Sequence, residues 1–243
     1  MPRVSLVVPT LNEDLGEPFA TLCDYLRGLP RSTFDVIFVD DSRDEVRARG
    51  LDVLRRGALP GNVRAELVEG DHRGKGAAVG KGIAATRGDI VFLIDVDLPA
   101  PLECIEEFLR VLDANAGIDG VIAERPLGRE FSSPVRFVAS RGLLLLQRAL
   151  VFHSREFTDT QCGFKAFRGD LIRDIASEQI VEGGMYDLEY LYVALRKGRR
   201  VAKVAVEPMP ERRESHIDVW KCLRQDPVDL LRIKAHGLLG RYR

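Results

Sequence analysis

The fold class this sequence predicts is α/β, a mostly parallel sheet flanked by helices in a single domain. Three observations predict it. Short apolar runs alternate with helical spacings through the first half of the chain; the runs are apolar on both faces, as buried parallel strands are; and several end in acidic residues. A chain of 243 residues is long enough to bury the core such a sheet needs.

The elements follow in order. Val4 to Val8 is a β-branched run closed by Pro9, hence a strand, and Glu17 to Leu29 is a helix with Phe19, Leu22, Cys23 and Leu26 on one face. Val36 to Val39 is a second strand ending in Asp40-Asp41-Ser42. A polar helix (Asp44 to Arg56), a turn at Leu59-Pro60-Gly61 and a strand at Arg64 to Val68 come next. Gly76 to Thr86 is an Ala/Gly-rich helix, and Ile90 to Ile94 a buried strand that runs into Asp95. Beyond it the rhythm loosens: helix Glu103 to Leu112, strand Gly120 to Ala123, a polar loop from Leu127 to Pro134, and a long helix from Val135 to Phe152. Cys162 to Phe167 reads as a strand, Asp170 to Glu178 and Asp187 to Lys197 as helices, and Val201 to Val206 as the last strand. No repeat or linker interrupts residues 1–210, and residues 211–243 form a basic amphipathic tail.

Bulk properties narrow the function classes. A formal net charge of −1 gives no global attraction to nucleic acid. The four cysteines are scattered, with no Cys-x-x-Cys pair, which suits reduced thiols in a cytoplasm. Met1-Pro2-Arg3 leads straight into a strand, so no signal peptide is expected. Leu143 to Phe152 is interrupted by Gln147 and Arg148 and falls well short of the roughly 20 residues that span a bilayer. A cytoplasmic protein is expected, at most peripheral on the inner membrane face.

Open α/β sheets bind ligands beyond the carboxyl ends of their strands. Asn12 and Glu13 follow the first strand, Asp40 and Asp41 the second, Asp95 and Asp97 the strand Ile90–Ile94. Turn-forming acids are common at strand ends, but three acidic clusters at one edge repel one another unless cations or donors compensate. Asp95-Val96-Asp97 is the sharpest element: in an extended backbone residues two apart share a face, so both carboxylates reach one hard cation, Mg²⁺ or Mn²⁺. Such an ion stabilises a departing diphosphate as a Lewis acid. The stretch Arg73 to Gly82 invites a phosphate-loop reading that fails, because only three residues separate Gly76 from Gly80 where four are needed, and Gly82 stands in place of Ser or Thr. Gly74 and Gly76 still suit close backbone approach to a ligand with Lys75 near a phosphate, whereas Gly80 and Gly82 suit close helix–sheet packing.

Val-Val-Pro-Thr-Leu-Asn-Glu (7–13), Val-Asp-Asp-Ser (39–42), Arg-Gly-Lys-Gly-Ala-Ala (73–78), Asp-Val-Asp-Leu (95–98) and Asp-Thr-Gln-Cys-Gly-Phe-Lys (159–165) occur in that order. Together they resemble the inverting family-2 glycosyltransferases of GT-A fold, in the branch of dolichyl-phosphate glucosyl- and mannosyltransferases and their bacterial polyprenyl-phosphate relatives. Met185-Tyr186-Asp187-Leu188-Glu189 is similar to a Phe-Asp-x-Glu helix start of the glucosyl branch. The resemblance implies that Pro9, Thr10, Asn12 and Glu13 line the base and ribose pocket, that Asp41 holds base or ribose, and that Lys75 sits near the nucleotide. It implies Asp95 and Asp97 on metal and diphosphate, Arg125 on donor or acceptor phosphates, Asp159 and Gln161 at the reacting centre, and Asp187 and Glu189 bracing it. Two departures stand out. Val96 replaces the usual Ala, and Ala123-Glu124-Arg125 replaces Gly-Ser-Arg, setting an acid beside the phosphate-binding Arg.

The function so implied is metal-dependent transfer of a hexose, glucose or a relative, from a nucleotide sugar, UDP before GDP, to a lipid phosphate of polyprenyl or dolichyl type. A soluble transferase acting on a hydroxyl of a natural product or saccharide is the alternative, in which Asp159 takes the proton with Asp187 or Glu189 behind it. A non-catalytic nucleotide-sugar binder stands furthest away, because every acidic position needed for chemistry is filled. Arg129, Arg136, Arg141 and Arg148 offer a basic face for a lipid phosphate or simply a solvated helix face. The tail from Val219 is expected to pack on the domain or pair two copies, with a membrane surface as the third reading. His216 is a candidate third metal ligand, and Cys162 reads as a small buried residue.

Overall fold

A computed structural model describes residues 2–126, 141–152, 157–207 and 219–242, with the side chains of 149, 150, 152 and 219–223 left aside. Seven strands form one sheet: β1 (Arg3–Thr10), β2 (Thr33–Asp40), β3 (Val63–Glu69), β4 (Ile90–Ile94), β5 (Gly120–Glu124), β6 (Phe164–Arg168) and β7 (Val201–Ala205), in the order β3-β2-β1-β4-β6-β5-β7. All neighbours are parallel except β6, which runs antiparallel to both β4 and β5. The helices are α1 (Gly16–Arg27), α2 (Asp44–Arg56), α3 (Lys75–Ala85), α4 (Cys104–Ala114), α5 (141–152, ending in the π-turn Gln147–Phe152), α6 (Gly169–Ser177), α7 (Tyr186–Arg196) and α8 (Val219–Leu238).

Strand alternation sorts the core into two layers. Val4, Leu6 and Val8 of β1 join Phe92 of β4 and Phe164 of β6 in the layer under α1 and α4. Val7, Val91, Leu93 and Phe167 face the other way, into the layer covered by α3, α6, α7 and α8. Strands with both faces buried read as continuous apolar runs, which is why β1, β2 and β4 were legible. Phe92, Phe108 and Phe164 meet with ring centroids 5.5 to 6.2 Å apart and pin α4 to the sheet.

Differences from expectation have local causes. β6 begins at Phe164 instead of Cys162, because the Gly163 carbonyl accepts the Asp95 amide at 2.9 Å and the Cys162 carbonyl turns to a lysine side chain. α1 stops at Arg27, where the Gly28 amide bonds back to the Tyr25 carbonyl at 3.0 Å. The described tail packs on the domain: Leu230, Ile233 and Tyr242 are buried in the same layer as α7. Cys23, Cys104 and Cys162 are free and buried. The expected polar loop Leu127–Pro134 and the start of the long helix lie outside the described residues, as do Arg129, Arg136 and His216.

The antiparallel β6 positions the site. Phe164 pairs with Ile94, so the chain entering β6 lies at the edge where β4 ends. Loops leaving β1, β2, β4 and β5 therefore meet residues 157–163 at one edge. Three non-glycine residues with left-handed backbone, Asn12, His72 and Leu98, stand in the loops after β1, β3 and β4 at that edge. Such strain collects where the chain must present groups to a ligand.

Candidate active site

The floor of the site is the end of β1 and β2. Thr10 donates its hydroxyl to Asp40 Oδ1 at 2.9 Å, and Ser42 donates to the same oxygen, so buried Asp40 is spent on holding the two loops together. Pro9 is buried beside it in β1, and Glu13 is half-buried in the following loop. Asn12 is exposed, with its amide on the Ser42 hydroxyl at 2.6 Å. Asp41 lies at the rim. Its Oδ1 accepts the His72 amide at 3.0 Å, and its carbonyl oxygen is 2.9 Å from His72 Nδ1. A Cβ on Gly70 would fall 1.8 Å from Asp41 Oδ1, so the glycine makes room for that carboxylate.

Asp95 and Asp97 come together through a turn, not through an extended strand. The Leu98 amide closes it on the Asp95 carbonyl at 3.0 Å, with Leu98 at φ 51°. Lys75, at the start of α3, donates to Asp95 Oδ2 at 2.7 Å. Gly163 cradles the same carboxylate, since a Cβ there would fall 2.0 Å from Asp95 Oδ2. Burial pushes the Asp97 carboxyl above its ordinary value, the Asp95 charge adds to the push, and Lys75 opposes it. Burial alone would lower the Lys75 ammonium, but Asp95, Asp187 and Asp97 outweigh it and the net shift is upward. Hard oxygen donors crowded at a strand end, one of them cradled by a glycine, fit Mg²⁺ or Mn²⁺. Among the described residues no group of three metal-binding side chains assembles.

Glycines 74 and 76 do something other than expected. A Cβ on Gly74 would strike the Glu182 carbonyl at 2.6 Å, and one on Gly76 the Val181 and Gly183 carbonyls at 2.7 and 2.8 Å. They admit the backbone of the chain's own 181–183 loop, and the Ala77 amide bonds to the Glu182 carbonyl at 3.2 Å. Gly82 does pack on the sheet as expected, against Val7 and Val39, while Gly80 faces the Gln179 side chain.

Across the edge, Arg125 grips Asp159 with a fork: Nε to Oδ2 at 2.5 Å and Nη2 to Oδ1 at 3.2 Å. Burial opposes the charged guanidinium, but the Asp159 hydrogen bond and charge more than compensate and raise its pKa. The Gln161 amide bonds to Asp159 Oδ1 at 3.2 Å, and its side chain is exposed. Glu124, the acid that raised concern beside Arg125, accepts the Thr158 amide at 2.6 Å and so anchors the 157–161 loop. Arg148 reaches the Phe157 carbonyl at 3.3 Å, a structural duty. Burial pushes the Cys162 thiol up to about 11, which leaves it protonated and inert.

Asp187 and Glu189 part company. Asp187 is buried 2.8 Å from the ammonium of Lys165, and its carboxyl is raised by burial, lowered by Lys165 and Lys75, and raised again by Asp95. Glu189 is fully buried in a separate network, accepting the Ile180 and Val181 amides at 2.8 and 2.9 Å and the Tyr242 hydroxyl at 2.9 Å. Lys75, Asp95, Asp97, Arg125, Asp159 and Asp187 thus form one charged cluster, with Glu189 outside it. Sequence reading missed His72, Gly163, Lys165 and Tyr242; only Gly163, the one small residue before β6, left a local signal.

An α/β sheet with acids at its carboxyl edge, a lysine on one of them and an Arg–Asp fork opposite has the charges to receive a phosphate-bearing ligand, and comparison with known proteins gives the class. The chain belongs to glycosyl transferase family 2, which it matches over residues 5–175. It is 28% identical to a dolichyl-phosphate β-glucosyltransferase of Dictyostelium discoideum, over 98% of this chain and 75% of that protein. The human dolichyl-phosphate β-glucosyltransferase is 26% identical, over 99% and 78%. In fold it is similar to the glucosyl-3-phosphoglycerate synthase of Mycobacterium tuberculosis in complex with phosphoglyceric acid, with TM-score 0.71, 21% identity and coverage of 96% and 80%. The same synthase has been solved with Mn²⁺, UDP-glucose and phosphoglyceric acid, and that structure matches with TM-score 0.69 at 20% identity.

Proposed function

We propose that this glycosyltransferase moves glucose from UDP-glucose to a polyprenyl phosphate, with inversion at the anomeric carbon and with a divalent ion held by Asp95 and Asp97. The observation that carries the reading is the meeting, at one sheet edge, of the Asp95–Lys75 pair with the Arg125–Asp159 fork. Thr10, Asn12, Glu13 and Asp41 bind the nucleoside, and Lys75 neutralises part of the diphosphate charge. When bound, Mg²⁺ or Mn²⁺ supplies Lewis-acid stabilisation of the leaving UDP, and His216 is a candidate further ligand.

Arg125 orients the acceptor phosphate, with Gln161 beside it. A phosphate oxygen attacks the anomeric carbon in line; the new C–O bond forms as the bond to the β-phosphate breaks, and the electron pair leaves with UDP. No proton has to be removed from an anionic acceptor. That suits Asp159, whose two oxygens are already engaged by Arg125. A hydroxyl acceptor would instead need that carboxylate as a base. The names of the relatives support glucose and a lipid phosphate. No helix among the described residues is long and apolar enough to cross a membrane. Exposed Val228 and Leu231, on the same helix as the basic Arg224 and Arg232, support a peripheral approach to a lipid-borne acceptor.

A panel of nucleoside diphosphates with and without Mn²⁺, read by thermal stability, tests the donor half, because ligands that bind the native state raise its apparent stability. UDP with Mn²⁺ is expected to stabilise more than GDP, ADP or either component alone. Equal shifts across the panel would overturn the assignment.

A further inference from the structure

Lys165 belongs to none of the roles set out for transfer, yet it is the one lysine of β6 and its side chain is 1% exposed. It pairs with Leu93 of β4 on one side and Ile122 of β5 on the other, midway between the strands that lead to Asp95 and to Arg125. By strand alternation it points with Phe167 into the layer of α3, α6 and α7, not toward solvent. There the ammonium has two partners. It donates to the Cys162 carbonyl at 2.5 Å and lies 2.8 Å from Asp187 Oδ1.

Those partners belong to two walls of the site. Cys162 closes the 157–163 loop, which carries Asp159 and Gln161, and the next residue, Gly163, both cradles the Asp95 carboxylate and accepts its amide. Asp187 lies in the first turn of α7, just after the 178–185 loop, whose carbonyls pack on Gly74 and Gly76 around Lys75. One buried ammonium therefore ties the acceptor wall to the wall behind the donor phosphates. Stability is a weak reason for such a pair, because desolvating two ions offsets most of their attraction. Geometry is the better reason. A reacting group displaced by about 1 Å can cost on the order of a hundredfold in rate.

We infer that Lys165 is a positioning residue for glucosyl transfer, holding the Cys162 carbonyl and the Asp187 carboxylate so that the Asp159–Gln161 loop and the Asp95 turn keep reacting distance. The inference rests on the proposed function and adds a residue to it.

The test is Lys165→Met beside the double variant Lys165→Met/Asp187→Asn, assayed for glucose transfer from UDP-glucose to polyprenyl phosphate and by amide hydrogen exchange. For Lys165→Met, kcat is expected to fall by about tenfold or more while the KM for UDP-glucose stays within about threefold, because Lys165 itself touches none of the residues proposed to bind UDP. Exchange across residues 159–163 rises, and β1 and β2 remain protected. The double variant removes the unpaired buried carboxylate and so folds even where the single one does not; its kcat stays low, because nothing holds the Cys162 carbonyl. A double variant with wild-type kcat, or unchanged exchange at 159–163, overturns the inference. Wild-type protein that transfers no glucose overturns the proposed function instead, and the exchange measurement still decides whether Lys165 holds the loop.

Discussion

The two halves of the sheet edge solve the same problem differently. On the parallel side, β1, β2 and β4 deliver Asp41, Asp95 and Asp97 from short loops, and left-handed residues at Asn12, His72 and Leu98 aim them. Charges there are partly exposed and lightly compensated: Lys75 donates to Asp95 and the His72 amide to Asp41. On the antiparallel side the charges are matched inside the protein: Arg125 with Asp159, Lys165 with Asp187, and Glu189 with two amides and Tyr242. The first half is built to receive charge, the second to hold shape. A substitution in the first half should strike activity and spare the fold, while one in the second should strike the fold, and activity as well where the residue belongs to the charged cluster.

Asp97→Ala is the largest expected effect. It removes half of the pair proposed to hold the divalent ion and should lower kcat on the order of a thousandfold, the scale of losing a main stabiliser of transition-state charge. The Asp97 side chain reaches solvent although its neighbours partly desolvate the carboxyl, so circular dichroism should report an unchanged melting temperature. Turnover within a few-fold of wild type would erase the contrast between the halves. Arg125→Ala comes next. It leaves Asp159 buried without its fork, and breaking such a pair costs about 3 kcal/mol or somewhat less at this partial exposure. Both melting temperature and kcat should fall, kcat by about a hundredfold. A loss of activity with no loss of stability would mean that the fork is not structural. Tyr242→Phe is the smallest. Deleting one hydrogen bond to buried Glu189 should cost about 1 to 2 kcal/mol in urea unfolding, with kcat within about twofold. A large fall in kcat there would draw Glu189 back toward the reacting centre.

The same contrast explains what could be read from the chain alone. Strands β1, β2 and β4 are apolar on both faces, and their acids follow at once, so position along the chain nearly equals position in space. The pairing of Asp95 with Asp97 was legible although its geometry was not: a turn closed at Leu98, not an extended strand, brings the two together. In the second half two of the decisive contacts span long stretches of sequence. Arg125 meets Asp159 across 34 residues, and Tyr242 meets Glu189 across 53. No local pattern announces a partner that far away. Asp187 and Glu189 looked alike because they lie two apart, but helical geometry turns them to different neighbours. Gly74 and Gly76 read as glycines for close approach to a ligand because sequence shows only that a Cβ is absent, not which backbone fills the space.

The most direct test of the account is transfer of labelled glucose from UDP-glucose to a polyprenyl phosphate, run in parallel with hydroxyl acceptors, with Mn²⁺ or with EDTA. The account predicts a lipid-linked product that forms only with the divalent ion. Equal product in EDTA, or glucose carried to hydroxyl acceptors and not to the lipid phosphate, would contradict it.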